Sequence, residues 1–474
     1  MLLHIIRKEL LDQLLSLRFA IACGVCLLVF LLSSIVLTRD YREAMSTFNM
    51  NKVMHRNELQ QRTQVSSLFE GVTVDRPLNI MNTLVRGLSK ELTESVRVQP
   101  GNRLDFPEGW EQNPVLPLFP AVDFVFIVGI IMSLLALAFS YDAVSGEAES
   151  GVLKLLMSYS APRDLVLLGK WIGGYLALIA PFVVSFVLAL IVILLFPEVQ
   201  PDIDSWLAIL ALFALALLYL AAIYSLGLFV SCRTRLASTS ITVLLLVWVV
   251  LILAVPNMAP YAVGQFVSIP SRDEIDREKQ AKERELSDRH QRIVEEEKER
   301  LGTDDIWQDE GFKKRQQDMS EEFKDEIQKI EDSFLKQVNR QTRLSGIVAR
   351  ISPLTSFNLA AFDLAAAGIV QEEEYVEALK AFSGTWQEYS EEKQKARREF
   401  LERQRSEDGS VSINSGDMER FNNLDLSDAP RFEFSFMPIG DRLSVVYGDL
   451  LLLALWNVVF FMLAYLSFLR YPVE

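Results

Sequence analysis

Six stretches of this 474-residue chain are long and apolar enough to cross a membrane, and they constrain everything else it can fold into. Spanning a hydrocarbon core ~30 Å thick takes about 20 apolar residues at 1.5 Å each. Phe19 to Leu37 and Phe124 to Tyr141 carry no charged side chain, and the second extends back through Val115 to Val122 if Asp123 sits at the interface. Trp171 to Pro197, Ser205 to Cys232, Leu236 to Pro256 and Leu450 to Leu469 complete the set. Core helices of a soluble protein keep a polar stripe, and these runs have none. The expected fold class is mainly α: a polytopic membrane protein with spans at 19–37, 115–141, 165–196, 205–231, 237–256 and 450–469.

Lys and Arg in short connections mark the cytoplasmic side, whereas long loops are exempt from that rule. The loop from Pro197 to Asp204 has acids and no base, and Arg233 and Arg235 lie in a loop with no acid. Arg7, Lys8, Arg18, Lys154, Arg163, Lys170 and Arg470 join that pair on one side if both termini are cytoplasmic. The inserts at 38–114 and 257–449 are then extracytoplasmic. The first run is longer than the 7–15 apolar residues of a secretory signal and ends without a small-residue cleavage site, so it is expected to stay as an anchor.

The charge is unevenly placed. Residues 270 to 449 hold 28 Lys+Arg against 41 Asp+Glu, a net of -13 out of -15 for the whole chain. A phosphate backbone demands a basic surface, so nucleic acid is not an expected partner. From Ser271 to about Arg350 acids and bases alternate, with Phe323, Ile327, Ile330 and Phe334 at coiled-coil spacing and Gly302 and Gly311 bracketing a turn. The pattern predicts a hairpin of two long charged helices over about 272–350, either a solvated face or a docking surface for an extracytoplasmic protein. The apolar stretch Leu354 to Val370 reads as a core helix of the outer domain, because a seventh span would put Arg470 on the wrong side. Residues 372 to 405 read as another charged helix, and Ser406 to Ser415 as a polar loop.

At the N-terminus, Leu3, Ile6, Leu10, Leu14 and Leu17 share a helical face opposite His4, Lys8 and Asp12, so residues 1–18 predict an amphipathic helix in contact with membrane lipid. Neither large insert contains cysteine, and Cys23-x-x-Cys26 reads as two small side chains within a span. Three scattered histidines, His4, His55 and His290, assemble neither a metal site nor a triad. Gly169-Lys170 lacks the Gly-rich lead of a phosphate loop. Five of the six apolar runs, counting the extension across Asp123 as part of the second, contain no Asp, Glu, Lys or Arg, which disfavours ion-coupled transport. Asp123 and Asn457 are the polar side chains to consider for a path; interface hydration and interhelical hydrogen bonding are the plainer readings.

Between the second and third spans, 142–164 contains the acidic Glu147 and Glu149, then Gly151-Val152-Leu153, Leu155-Leu156 and Pro162-Arg163. This segment resembles the coupling segment of ABC-2 type transporter permeases, although Val152 stands where that family usually has Thr. Arg7-Lys8-Glu9-Leu10 resembles the family's interfacial helix, and Arg76-Pro77-Leu78 with Ser352-Pro353-Leu354 is similar to a branch carrying a large outer domain of unknown function. The resemblance implies a non-catalytic permease subunit of an exporter in the inner membrane of a bacterium. Its expected partners are a dimer of ATPase subunits, which hold ATP and Mg, and a second copy or a paralogous permease. It further implies that Glu147 and Glu149 face a cleft on the ATPase while Val152, Leu153, Leu155 and Leu156 fill it. The alternative is a scaffold that passes ATP-driven motion to an extracytoplasmic partner without moving a substrate.

Overall fold

The computed structural model describes residues 2–62, 65–87, 95–101, 103–105, 122–158, 162–267, 269–301, 310–403 and 426–471. It divides into two compact units, one of Met1–Val247 with Ser356–Glu474 and the other of Trp248–Thr355. The expected stretch 115–121, the Gly302 turn and the 406–415 loop lie outside the described residues.

The larger unit begins with α1 (Leu2–Leu14) and α2 (Leu17–Gln60). Ser16 starts α2 by accepting a hydrogen bond from the Phe19 amide, which satisfies one of the donors a helix leaves unpaired at its start. The first insert was expected to begin at residue 38, but α2 passes through that boundary and runs 44 residues, ~66 Å at 1.5 Å per residue. The reason is local: between Thr38 and Gln60 there is neither Gly nor Pro to stop it. A small antiparallel sheet follows, β1 (Val72–Asp75), β2 (Ser95–Gln99) and β3 (Arg103–Asp105), with Val74 opposite Val96 and Val98 opposite Leu104.

Helix α3 covers 124–140, with a π-helical turn at Ile127–Met132. The Gly129 carbonyl in that turn accepts hydrogen bonds from Ser133 Oγ (2.7 Å) and Tyr219 Oη (2.9 Å), so the irregular backbone stays satisfied inside an apolar bundle. Next come α4 (Ser145–Glu149), α5 (Val152–Ser158), α6 (Arg163–Leu194), α7 (Ile203–Ser231) and the start of α8 (Ala237–Gly264), whose π turn at Val249–Ala254 belongs to the smaller unit. After the second insert, α13 (Ile439–Leu469) packs along α7, and Asn457 Nδ2 reaches the Leu218 carbonyl at 2.9 Å. Phe30, Phe124, Phe182, Phe186 and Phe213 fill the space between α2, α3, α6 and α7, with ring centroids 5.3–6.5 Å apart.

In the smaller unit, α9 (Arg272–Leu301) and α10 (Glu310–Ala349) run antiparallel. Ion pairs Lys282–Glu326 (3.8 Å), Arg289–Glu322 (2.9 Å) and Arg315–Glu297 (2.6 Å) cross between them. Phe334 is buried, and Phe323, Ile327 and Ile330 are half-buried. Gly311 lies inside α10 rather than in a turn, because one glycine costs a helix only about 1 kcal/mol.

The stretch Leu354–Val370 corrects one expectation. Among the described residues seven helical stretches are long and apolar enough to cross a membrane, and one of them runs from Pro353 to Glu399. A turn at Ala365–Gly368 breaks it into α11 (Pro353–Leu364) and α12 (Ile369–Arg403). At 12 residues α11 is ~18 Å long, too short to cross by itself. Its Phe357 stacks on Tyr219, midway along α7, with centroids 4.7 Å apart. Asn79 Nδ2 and Arg442 Nη1 satisfy the carbonyls of Ala365 and Leu364 at its C-terminal end, which lets a short helix sit against the spans without orphaned backbone.

Helix α12 supplies what the sheet lacks. Its Tyr375, Leu379, Phe382 and Trp386 pack with Leu68, Val74, Val96, Val98 and Leu426 into one core, and Trp386 Nε1 donates to the Leu68 carbonyl at 3.0 Å. Lys393 and Tyr389 both bind Asp428, and these bonds hold its carboxyl below the usual carboxylate range. The two inserts therefore share a single hydrophobic interior. Trp386→Ala is expected to cost about 3–5 kcal/mol and to speed amide exchange in β1 and β2 as much as in α12. Unchanged protection of the sheet would show separate cores.

Candidate functional site

The site is built where the two ends of the chain meet the segment after α3. Gly169 and Gly173 of α6 make room for α1: a methyl group added at either position would lie 2.7 Å from a side-chain carbon of Ile5 or Glu9. With α1 that close, Glu9 reaches Lys170, and Nζ to Oε1 is 2.5 Å. Lys170 also meets Glu147 Oε2 of α4 at 2.7 Å, and Lys8 meets the other Glu147 oxygen at 3.2 Å. Lys170 is 2% exposed. Two glutamates and two lysines from three helices thus form one partly buried cluster, in which the ammonium of Lys170 is paired on both sides. A single buried charge is costly, and its partners are what make the position tolerable.

Hydrogen bonds extend the joint. Ser231 Oγ accepts from the amides of Val144 (3.0 Å) and Ser145 (3.1 Å), tying the start of α4 to the end of α7. Arg18 Nη1 binds Asp142 at 2.7 Å while its guanidinium lies 4.9 Å above the Tyr141 ring. Glu149 accepts from the Ala237 amide at 3.1 Å, where the N-terminus of α8 favours a negative charge. Arg163 donates to the Leu469 carbonyl at 2.6 Å, where the C-terminus of α13 favours a positive one. Beneath these polar contacts Val144, Leu153, Val166, Leu167, Leu228 and Phe468 form a buried apolar cluster.

This arrangement redistributes the residues singled out in the sequence. Glu147 and Glu149 were expected to face a partner's cleft, but both bind groups of their own chain, because the complementary cations and helix terminus lie beside α4. Leu153 was expected to fill that cleft and is buried inward, with Leu156 packed partly against the same cluster. Val152 (38% exposed) and Leu155 (67% exposed) stay at the surface. Gly151 takes a φ of +79° at the break between α4 and α5, a conformation glycine adopts at low cost. Pro162 opens α6. Arg7 is exposed and Leu10 half-buried, while Leu3 and Leu17 of the expected lipid face are exposed.

In the sequence Lys170 reads only as a marker of the cytoplasmic side. Its signal was its position, a lone charge between Gly169 and the apolar run of α6. Asp123 and Asn457 are brought into the framework. Asp123 is buried and caps α3 by accepting from the amides of Phe126 (2.9 Å) and Arg86 (3.0 Å). Asn457 links α13 to α7 as described above. No cluster of His, Cys, Asp and Glu suited to a metal ion occurs among the described residues.

The fold and the joint define a multi-pass helical membrane protein whose first and last helices are bound to the short segment between α3 and α6. Residues 3–472 match the model of the ABC-2 family transporter proteins, and the chain belongs to that family as a transmembrane permease component. It is also similar to proteins named probable ABC transporter permease protein NosY, 44% identical over 71 residues to that of Pseudomonas aeruginosa and 41% identical over 68 residues to that of Stutzerimonas stutzeri. Those stretches cover 15% and 14% of this chain, and the chain spans only 26% and 25% of the length of these curated relatives.

Lys170→Met leaves Glu9 and Glu147 facing an apolar side chain. It is expected to destabilise the detergent-solubilised protein by about 3 kcal/mol, lowering its thermal midpoint, and a further Glu9→Gln change should restore part of that loss.

Proposed function

We propose that this chain is the permease subunit of an ATP-driven exporter in the inner membrane of a bacterium, moved by separate ATPase subunits that hold ATP and Mg. The chain would work with a second copy or a paralogous permease, with both termini cytoplasmic, six complete spans and both inserts extracytoplasmic. The observation that carries the coupling part of this reading is the contrast within α5. Leu153 locks it onto the bundle while Val152 and Leu155 remain outside, on a segment bound through the Lys170 cluster to α1 and α6. An ATPase surface that grips Val152 and Leu155 would pull on helices rather than on a loose loop, and rigid bodies transmit such motion.

One observation favours the second reading, in which motion is passed to an extracytoplasmic partner without transport. Helix α2 runs unbroken from Arg18, bound to Asp142 of the coupling segment, to His55, which lies 3.0 Å from Asp75 at the end of β1. A helix ~66 Å long joined at both ends is a lever between them, whatever passes through the membrane.

The double variant Val152→Ser/Leu155→Asp changes only exposed positions, so its thermal midpoint is expected to stay within a few degrees of the parent's. Co-purification with the cognate ATPase should fall at least tenfold, and permease-stimulated ATP hydrolysis should be lost. Retention of both would rule out α5 as the docking element.

A further inference from the structure

The second insert is strongly acidic, yet the end of its hairpin next to α8 is not. No Asp or Glu occurs from Ser333 to Phe362, and no charged residue of either sign from Ala237 to Ser271. Within α10, Arg340, Arg343 and Ile347 recur at spacings of 3 and 4, which puts them on one helical face. All three are exposed, as is Ile351 one turn further on, whereas Ser345 and Ala349 on the opposite face are buried. The ion pairs Lys282–Glu326 and Arg289–Glu322 fix the register of the hairpin. In that register the first acids of α9, Asp273 and Glu274, fall level with Lys336 and Gln337, and the two arginines lie beyond the start of α9. Glu274 is also engaged with the Ser271 amide at 2.9 Å.

This end of the hairpin is where the membrane begins. The apolar run Leu236 to Pro256 is enough to fill a hydrocarbon core ~30 Å thick. Helix α8 goes on to Gly264 and carries Met258 and Tyr261 ~3 and ~8 Å past that run at 1.5 Å per residue, into a headgroup layer roughly 5–7 Å deep. The last turns of α8 and α10 pack together, with Ala259 and Val263 buried on one and Ser345 and Ala349 on the other. Gln341 Nε2 donates to the Val267 carbonyl at 3.3 Å, and a methyl group added at Gly264 would lie 3.1 Å from the same nitrogen. Because α9 starts close after α8 and α10 returns antiparallel to it, the ~9 Å from Gln341 to Ile347 leads back to the level of Tyr261. Met258, Tyr261, Phe266, Ile347 and Ile351 are all exposed, and they follow on from Val250 and Leu253, which are exposed on the span itself.

An apolar surface beneath two cations limits what can cover it. A second copy laid on the same face would bring its own arginines toward these, and a soluble acidic protein would have to enter the headgroup layer to meet Ile347. A phospholipid satisfies both parts, since a guanidinium binds phosphate through paired donors and an acyl chain covers isoleucine. A zwitterionic headgroup brings a cation of its own to the arginines, which favours an anionic one. We propose that the base of the hairpin binds anionic phospholipid of the leaflet on the insert side, its phosphate on Arg340 and Arg343 and its acyl chain along Ile347 and Ile351. The inference rests on α8 as a span and not on ATPase docking at α5, so either can fail without the other.

The test uses the full-length chain. Delipidated protein in detergent would be titrated with phosphatidylglycerol, or with phosphatidylcholine of the same acyl chains, and the bound lipids counted by native mass spectrometry. Phosphatidylglycerol is expected to be retained more tightly. The double variant Arg340→Gln/Arg343→Gln should weaken its retention by about fivefold or more and leave phosphatidylcholine unchanged. A second measurement does not depend on that variant folding. A nitroxide on Ile347→Cys, with Cys23→Ala, Cys26→Ala and Cys232→Ala, should in phosphatidylglycerol nanodiscs be reached by oxygen and shielded from a water-soluble nickel chelate. Equal retention of the two lipids, retention unchanged in the double variant, or a label open to the chelate would each overturn the proposal. Strong coupling between labels on two copies would show that a second copy covers the face, and that too defeats it.

Discussion

The burial of one ammonium group organises the end of this permease where α1, α4 and α6 meet. Lys170 sits on α6 with almost no exposure, and its charge is tolerable only because Glu9 and Glu147 approach it from two other helices. Opposite charges a few ångströms apart attract strongly where water is excluded, but separating them leaves a charge stranded, so the cluster works as a joint more than as a source of net stability. The glycines at 169 and 173 are its steric condition, since any larger side chain would hold α1 away and Glu9 with it. Once α1 and α4 are fixed to α6, Ser231, Arg18, Glu149 and Arg163 bring α7, α2, α8 and α13 to the same place.

At the other end the organising constraint is a shortage of apolar surface. A sheet of three short strands cannot bury enough to stand by itself, and α12, mostly charged, has one stripe to contribute. Together they close around Trp386. Because the sheet and α12 come from different inserts, neither insert is an independent domain, and α2 connects their shared core to Asp142 as one continuous helix.

Much of the fold was readable because membrane spans are written redundantly, in twenty apolar residues at a time. The paired helices α9 and α10 were readable for a similar reason, being long and repetitive in charge. The site was less so. The interval Tyr375, Leu379, Phe382 and Trp386 has helical spacing, yet the acids around it made the stretch look like a solvated helix. The segment Leu354–Val370 was apolar enough for a core helix, but nothing in its composition placed Phe357 against Tyr219 rather than within the outer domain. The family resemblance singled out residues 142–164 and could not orient them: Leu153 and Leu155 are both leucines, and only packing made one buried and the other exposed.

The sequence by itself determined that this chain is a helical membrane protein with two large polar inserts and a segment like that of ABC-2 permeases, because hydropathy and local motifs act over neighbouring residues and need no partner. Tertiary structure alone decided that Glu147 turns inward to Lys170, that Asp123 and Asn457 serve the framework, and that two inserts separated by six helices make one core. Those outcomes depend on contacts between residues 161 and 318 positions apart, such as Lys170 with Glu9 and Trp386 with Leu68. Such pairs leave no local trace, since either residue alone is compatible with many surroundings, and the choice among them is made when the helices pack.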